Sequence, residues 1–161
     1  AVLIGIGGYP YSPLHGCVSD AKSVKKYLIE DLGVPKNRIQ LLLGTSDGLD
    51  LDATSPTRAN LIKTLYSLVD NPDIKRGDNI IVYFAGHGTR YAAKEHYRSE
   101  HRREPTEALC PMDRTDMDST GSPIPDISDR EINAIFTQIS LTKGHTITLI
   151  LDCCYSGTHT K

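Results

Sequence analysis

Two residues combine the types and the surroundings that nucleophilic catalysis by a thiol requires. Cys154 lies in the segment DCCYSG, residues 152–157, directly after an apolar run, and His87 lies between two glycines directly after another such run. A thiol attacks as its thiolate, and because a free cysteine has a pKa of about 8.5, a nearby imidazole must take its proton. The backbone amide of Gly88 or of Cys154 can donate to a developing oxyanion. These residue types predict acyl transfer by a Cys154–His87 pair.

The cysteine pattern indicates neither a disulfide framework nor a zinc site. The chain has four cysteines at uneven spacing, and no CxxC or HxxxH spacing accompanies them. Neighbouring Cys153 and Cys154 would point to opposite faces of a strand, so that a bond between them would be strained. We therefore interpret Cys153 as a small buried hydrophobic residue. This cysteine usage favours a reducing, intracellular setting, which we expect to be the cytoplasm.

Two further patterns are weaker. The segment GIGGYP, residues 5–10, resembles part of a dinucleotide fingerprint, but it lacks the third spaced glycine, and Pro10 and Pro13 interrupt any helix start. The acidic clusters at residues 47–52 and 113–118 lack the spacing of a calcium-binding EF-hand loop. We interpret both clusters as solvated turns.

The elements that must position these residues alternate between strand and helix. Continuous apolar runs rich in branched residues are typical of buried parallel strands, and recurrence every three to four residues is typical of helices. The alternation predicts a doubly wound, mostly parallel α/β sheet with helices on both faces, a three-layer α/β/α fold. Ligands in such sheets bind at the carboxyl ends of the strands, where His87 and Cys154 both fall. Four strands are expected, at Val2–Ile6, Ile39–Leu43, Asn79–Ala85 and Thr146–Leu151. Three helices are expected: one at Asp20–Asp31, one that begins at a Ser55-Pro56 cap, and one that begins at a Ser128–Glu131 capping box.

The segment from Gly88 to Asp126 is predicted to be a long functional loop. It is rich in charge, proline and glycine, and only the apolar piece Ala108–Met112 interrupts it.

Composition limits the classes of partner. The 161 residues suit one domain, and the net charge is −2 without any lysine and arginine run that could follow a phosphate backbone. We interpret the Arg98–Arg103 stretch as a solvated loop and expect no nucleic-acid partner. No apolar run approaches the roughly 20 residues of a membrane span, so no membrane partner is expected. The chain begins inside an apolar run and ends soon after Cys154, which suggests a piece of a longer protein.

Taken together, the motifs resemble the caspase-like cysteine proteases of peptidase family C14, and most closely the metacaspases. The resemblance covers nearly the whole chain and implies a large-subunit-like catalytic domain over residues 1–161. It also implies His87 as the catalytic histidine and Cys154, rather than Cys153, as the nucleophile. The matching segments, in the family's order, are HGCVSDA (15–21), VYFAGHGT (82–89), EALCPMD (107–113), ISDREI (127–132) and LDCCYSG (151–157).

The resemblance also implies a pocket for a basic side chain. Asp20 and Asp152 match the acids that line the metacaspase pocket for Arg or Lys, and Cys17 and Ala85 match neighbouring pocket positions, where the family usually has Ser instead of Ala85. Two carboxylates facing a guanidinium form strong charge-assisted hydrogen bonds. Without the resemblance, Asp20 could simply cap a helix and Asp152 could anchor the loop after its strand.

The implied partners are polypeptide substrates and a small-subunit-like segment of the same protein. That segment adds two strands in the family, and the fourth strand here would otherwise have an unpaired edge. No cofactor is predicted. Many members bind calcium through an acidic pair in the ISDREI region, but Arg130 here replaces the second acid beside Asp129, and a cation would repel Ca²⁺.

Three functions follow from these residues. The first is a cysteine endopeptidase that cleaves after Arg or Lys through a thioacyl-enzyme. The second is an inactive or incomplete caspase-like domain that acts as an interaction or signalling module. The third is another α/β hydrolytic or redox enzyme that uses the adjacent Cys153 and Cys154, and a reversible disulfide between them would favour it.

Overall fold

The computed structural model describes residues 1–46, 53–91 and 105–153, and the backbone of residues 155–156. In chain order the described elements are β1 (Val2–Ile6), α1 (Cys17–Glu30), a short 3-10 helix (Lys36–Arg38), β2 (Gln40–Gly44), α2 (Arg58–Asp70), β3 (Ile80–Ala85), β4 (Gly88–Tyr91), β5 (Thr106–Leu109), β6 (Ile127–Ser128), α3 (Asp129–Lys143), β7 (Ile147–Asp152) and β8 (Tyr155–Ser156).

The central sheet is parallel and has the strand order β2-β1-β3-β7. Val2 on β1 pairs with Gln40 on β2 and with Val82 on β3, and Ala85 at the end of β3 pairs with Asp152 at the end of β7. Because all four strands run the same way, their carboxyl ends meet at one edge of the sheet. This architecture confirms the predicted α/β fold.

Helices cover the two faces of this sheet because successive strand residues point to opposite sides. Leu3, Tyr83 and Ala85 pack with α1 on one face, whereas Val82 and Phe84 pack with α2 and α3 on the other. In β1 and β3 the apolar runs are continuous rather than alternating because both faces of these inner strands are buried, whereas β7, at the edge of the sheet, is largely exposed. Helix α1 lies so close to β1 that a Cβ atom on Gly5 would be 2.5 Å from the carbonyl oxygen of Cys17.

Two stretches of the long loop predicted after Gly88, residues 88–91 and 106–109, instead form strands of a second, smaller sheet. Its strand order is β6-β5-β4-β8, with β4 antiparallel to β5 and parallel to β8. The loop prediction was wrong for these two short strands because each is charged in part and buried only in part. Thr89 and Ala108 pair and face inward, while the charged residues that suggested a loop, Arg90 and Glu107, are a cross-strand pair.

Two helix starts differ from the prediction. Helix α1 begins at Cys17, three residues before Asp20, and α2 begins at Arg58, after an N-cap at Thr57. The hydroxyl of Thr57 accepts a hydrogen bond from the amide of Asn60 at 3.3 Å, so Thr57 does the capping that was predicted for the Ser55-Pro56 pair. The capping box of Ser128 and Glu131 is present at the start of α3.

Within the described residues, none of the helices combines the length and the apolar character needed to cross a membrane.

Candidate active site

His87 lies between β3 and β4 at the carboxyl edge of the central sheet, and its tautomer is set by a backbone carbonyl. The ring Nε2 atom is 2.7 Å from the carbonyl oxygen of Ser12. Because a carbonyl oxygen only accepts, Nε2 carries a proton, so in the neutral imidazole Nδ1 is the nitrogen with the lone pair. Nδ1 is buried and has no hydrogen-bond partner among the described residues. The imidazole is therefore arranged to accept a proton at Nδ1.

The backbone of His87 is held on both sides by residues distant in sequence. Its N–H donates to the hydroxyl oxygen of Tyr9 at 3.0 Å, and its carbonyl accepts from the N–H of Cys110 at 3.0 Å. The Tyr9 hydroxyl in turn donates to the carbonyl of Cys110 at 2.8 Å. Sequence reasoning missed Tyr9, although a tyrosine inside a glycine-rich segment after a strand was an available signal.

The predicted nucleophile, Cys154, lies outside the described residues. Its neighbour Cys153 packs against the apolar core on the α2 and α3 face, which agrees with its interpretation as a small hydrophobic residue. Cys110 is a poor nucleophile although its backbone contacts His87: burial first, and the charge of Asp126 second, raise the pKa of its thiol to about 12.

The predicted oxyanion donor Gly88 is the first residue of β4. It is buried and pairs with Leu109 on β5 and with Tyr155 on β8. Gly86, on the other side of His87, has a different reason to be glycine. A Cβ atom there would lie 2.7 Å from the Tyr9 hydroxyl oxygen, so any larger residue would displace that hydroxyl.

The four residues predicted to line a pocket for a basic side chain come together on the α1 face of the sheet. Cys17 and Ala85 are buried in one apolar cluster with Tyr83, while Asp20, in the first turn of α1, and Asp152, at the end of β7, are both exposed.

Tyr83, which the sequence patterns did not point to, is bonded to one of the two carboxylates and feels the charge of both. Its hydroxyl donates to Oδ2 of Asp152 at 3.0 Å. Burial raises the pKa of Tyr83 above its usual range, and the hydrogen bond that Tyr83 donates to Asp152, followed by the negative charges of Asp152 and Asp20, raises it further. Both charges thus act on one point, and a cation placed there would be attracted by both.

The described residues do not present a metal site. Among them, no group of three or more His, Cys, Asp or Glu side chains is arranged to hold an ion. The acid of the CPMD motif, Asp113, instead accepts a hydrogen bond from the amide of Arg58 at 2.8 Å. The carboxylate of Asp129 accepts from the amide of Arg130 at 2.8 Å, and the guanidinium of Arg58 forms an ion pair with Glu131.

Only one of the two acidic clusters that were predicted to be solvated turns lies among the described residues. Asp118 accepts hydrogen bonds from Thr120 and Ser122, as expected of a solvated turn in the cluster at residues 113–118. The cluster at residues 47–52 lies outside the described residues.

Comparison with known proteins adds to these observations. A family model for the metacaspase peptidase C14 domain matches residues 1–161. Metacaspase-3 of Arabidopsis thaliana is 34% identical over 160 residues, which is 98% of this chain and 40% of that protein. Metacaspase-1A of Aspergillus oryzae is 29% identical over 158 residues, again 98% of this chain and 34% of that protein. The chain thus spans less than half the length of these relatives.

A solved structure supports the architecture independently. The crystal structure of a protein from Geobacter sulfurreducens aligns with a TM-score of 0.67 at 17% identity, over 98% of this chain and 50% of that one. At this identity the likeness is one of fold.

Proposed function

Because the chain belongs to the metacaspase family of C14 peptidases, we propose that it carries the catalytic pair of a cysteine endopeptidase, with His87 as base and Cys154 as nucleophile. The observation that carries the proposal is the state of His87. Ser12 holds the proton on Nε2, so the buried Nδ1 is the nitrogen that can accept the proton of a thiol.

Strand pairing on both sides of the two residues supports the proposal. Ala85 pairs with Asp152 in the central sheet, and Gly88 pairs with Tyr155 in the second sheet. Two residues separate the pairs on each side: 86–87, which include His87, and 153–154, which include Cys154. Because paired strands lie about 4.8 Å apart, chain connectivity favours a thiol within reach of the imidazole.

The proposed reaction is acyl transfer in two halves. The thiol of Cys154 gives its proton to Nδ1 of His87, and the thiolate adds to the scissile carbonyl, whose oxyanion accepts a hydrogen bond from the amide of Gly88 or Cys154. His87 then returns the proton to the leaving amine, which leaves a thioacyl-enzyme. In the second half His87 takes a proton from water, and the hydroxide adds to the thioester carbonyl. The C–S bond then breaks, which releases the carboxyl product, and His87 returns its proton to the sulfur of Cys154.

The proposed specificity is for Arg or Lys before the cleaved bond. The exposed carboxylates of Asp20 and Asp152 are the acids that a cationic side chain would meet, and Tyr83 orients the second of them. Cys17 and Ala85 form the apolar wall behind them. The family usually has Ser at the position of Ala85, whose hydroxyl would add one contact to a bound basic side chain. Binding in this chain therefore depends more on the charges of the two aspartates.

The proposed partner within the same protein is a small-subunit-like segment that covers the outer edge of β7, so that residues 1–161 act as the large-subunit-like part. Leu149, Ile150 and Leu151 are 36%, 43% and 43% exposed, although they lie on a strand of the central sheet. Leu149 and Leu151 line an apolar groove of about 290 Å³ with Ile132 and Phe136 of α3. Among the described strands none pairs with the outer edge of β7, and an edge with exposed apolar residues favours a further strand and its covering segment.

Paired fluorogenic peptides ending in Arg and in Asp test the function in the complete natural protein, with and without calcium. We expect cleavage after Arg only, and no requirement for calcium because Arg130, next to Asp129, provides positive charge there. Cys154→Ala should abolish turnover, whereas Cys153→Ala, the matched control, should largely retain it. An equal loss of turnover in both variants would contradict the assignment of Cys154 as the nucleophile.

The other outcomes point to the alternatives. Cleavage after Asp would keep the catalytic pair and overturn the acidic pocket. A folded protein that cleaves neither peptide would favour an interaction module, which the exposed apolar edge of β7 also suits. A reversible disulfide between Cys153 and Cys154 would favour redox chemistry.

A further inference from the structure

We propose that Tyr9 is a positioning residue for the catalytic base, holding the backbone of His87 so that its imidazole stays between the Ser12 carbonyl and the nucleophile. This inference rests on the proposed role of His87. Tyr9 lies in the loop after β1, 78 residues away from His87 in sequence, and it touches the backbone and the ring of His87 rather than any reacting atom.

The hydroxyl of Tyr9 completes a closed set of hydrogen bonds. A tyrosine hydroxyl has one hydrogen to donate and lone pairs to accept. Here it donates to the Cys110 carbonyl at 2.8 Å and accepts the N–H of His87 at 3.0 Å. Cys110 closes the ring by donating its own N–H to the His87 carbonyl at 3.0 Å. Both polar backbone groups of His87 are therefore fixed, and phenylalanine could make neither of the two bonds of Tyr9.

The aromatic ring of Tyr9 restrains the imidazole directly. The two ring centroids are 4.6 Å apart, with an angle of 51° between the ring planes, a geometry that aromatic pairs favour. Tyr9 is only 5% exposed. Burial raises its pKa above the usual range, and the hydrogen bond from His87 only partly opposes this shift. The hydroxyl thus remains a donor throughout the pH range in which a Cys–His pair works.

One loop provides both restraints on His87. Ser12, whose carbonyl accepts the Nε2–H bond, is three residues after Tyr9. The loop is closed at its base, where the N–H of Leu14 donates to the carbonyl of Gly7 at 2.9 Å. A shift of Tyr9 would therefore move the acceptor for Nε2 as well as the backbone of His87.

The glycine before the histidine follows from the same contact. A Cβ atom at Gly86 would lie 2.7 Å from the Tyr9 oxygen and 3.0 Å from the ring of Phe84. Because Cβ atoms in proteins do not approach other heavy atoms as closely as 2.7 Å, the Tyr9 hydroxyl and a side chain at position 86 exclude each other. The tyrosine after β1 and the glycine after β3 are thus parts of one arrangement.

Tyr9→Phe tests the inference in the complete natural protein, and Tyr11→Phe is the matched control. Tyr11 is in the same loop but is 84% exposed, so the same chemical change there should have no effect. The first measurement is the NMR signal of the His87 imidazole in histidine-labelled protein. We expect the parent and Tyr11→Phe to show the Nε2–H tautomer, and Tyr9→Phe to lose that preference.

The second measurement is the pH dependence of alkylation of Cys154 by iodoacetamide, followed by mass spectrometry of its peptide. We expect Tyr9→Phe to slow alkylation near neutral pH by about tenfold or more, which corresponds to a rise of about one unit in the apparent pKa of the thiol. Tyr11→Phe should stay within about twofold of the parent. A variant destabilised elsewhere, Ile139→Val in the fully buried part of α3, should lose stability but keep the parent's pH profile.

The two possible failures are distinguishable. An unchanged tautomer and an unchanged alkylation profile in Tyr9→Phe would overturn the role of Tyr9, and so would an equal change in Ile139→Val. If His87→Ala leaves the alkylation of Cys154 unaltered in the parent background, the base assignment itself fails. In that case the tautomer measurement still decides whether Tyr9 holds the ring.

Discussion

The imidazole of His87 is oriented by a neutral carbonyl rather than by a carboxylate. A carboxylate partner would favour the charged imidazolium, whereas the Ser12 carbonyl selects a tautomer without adding charge. The negative charges lie instead on the α1 face, at Asp20 and Asp152. The proposed base therefore lies apart from the two acids that are proposed to bind a basic side chain.

The paired acids give a prediction about substrate affinity. Asp20→Asn and Asp152→Asn should each raise KM for Arg peptides, because each removes a charged contact worth about 1.5–3 kcal/mol, or about tenfold to a hundredfold. Asp31→Asn, at the opposite end of the same helix as Asp20, is the control and should leave KM unchanged. The measurement is steady-state kinetics with Arg and Asp peptides. An undiminished preference for Arg in both variants would contradict the pocket.

Residues such as Tyr9 and Tyr83 show where sequence reasoning stops at this scale. His87, Asp20 and Asp152 could be identified because their types and motif positions carry a chemical meaning. Tyr9 and Tyr83 act through partners 78 and 69 residues away, and no local pattern reveals such a contact. Gly86 stands out in the sequence because it precedes the histidine, but the need for a glycine there comes from the distant Tyr9 hydroxyl.

Among the strands, too, some could be predicted from the sequence and others could not. The strands of the central sheet were predicted within about a residue of their ends because each is an unbroken apolar run, although only the inner strands β1 and β3 are buried on both faces. The strands β4 and β5 were missed because their stability depends on residues outside them. Asp126, whose side chain is only 3% exposed, accepts two bonds of 2.9 Å from Arg114 and one from Tyr91 on β4.

Removing Asp126 should therefore destabilise the second sheet. Asp126→Ala leaves the guanidinium of Arg114 and the hydroxyl of Tyr91 without their acceptor. Because Arg114 is itself one-third exposed, we expect the low end of the cost of breaking a buried ion pair, about 3 kcal/mol. Urea unfolding should show a lower midpoint with an unchanged slope. Asp116→Ala, an exposed position in the same segment, is the control, and an equal loss there would show that the network contributes nothing.

At the scale of the whole molecule, the carboxyl edge of the central sheet is where distant segments converge. The loop after β1, the β3–β4 junction, the start of α1 and the end of β7 all meet there, and two of the meeting points are buried tyrosine hydroxyls. A third tyrosine, Tyr91, joins the second sheet to the segment before α3. Tyrosines thus connect the parts of the domain that the backbone alone does not join.

These contacts make the stability of the domain sensitive to alkaline pH. Burial is the largest cause that raises the pKa of Tyr9, Tyr83 and Tyr91, and for Tyr91 burial together with the hydrogen bond to Asp126 raises the pKa to about 12. An unfolded tyrosine titrates near pH 10. Between pH 10 and 12 the unfolded chain therefore binds fewer protons than the folded one, so the free energy of unfolding falls as the pH rises.

The three tyrosines add a decline that begins near pH 10, and the buried Cys110 thiol, whose pKa is raised to about 12, adds to it from about pH 8.5. Denaturant unfolding at a series of pH values measures the decline, and the ultraviolet absorbance of the phenolate measures the titration. Of the eight tyrosines in the sequence, at least these three should ionise later than the exposed ones. Tyr91→Phe should make the decline shallower because it removes one late-titrating group, whereas Tyr27→Phe, at an exposed position, should not. Stability that stays constant up to pH 12 would mean that the folded hydroxyls are not held as protonated donors, and it would weaken the argument for Tyr9 as well.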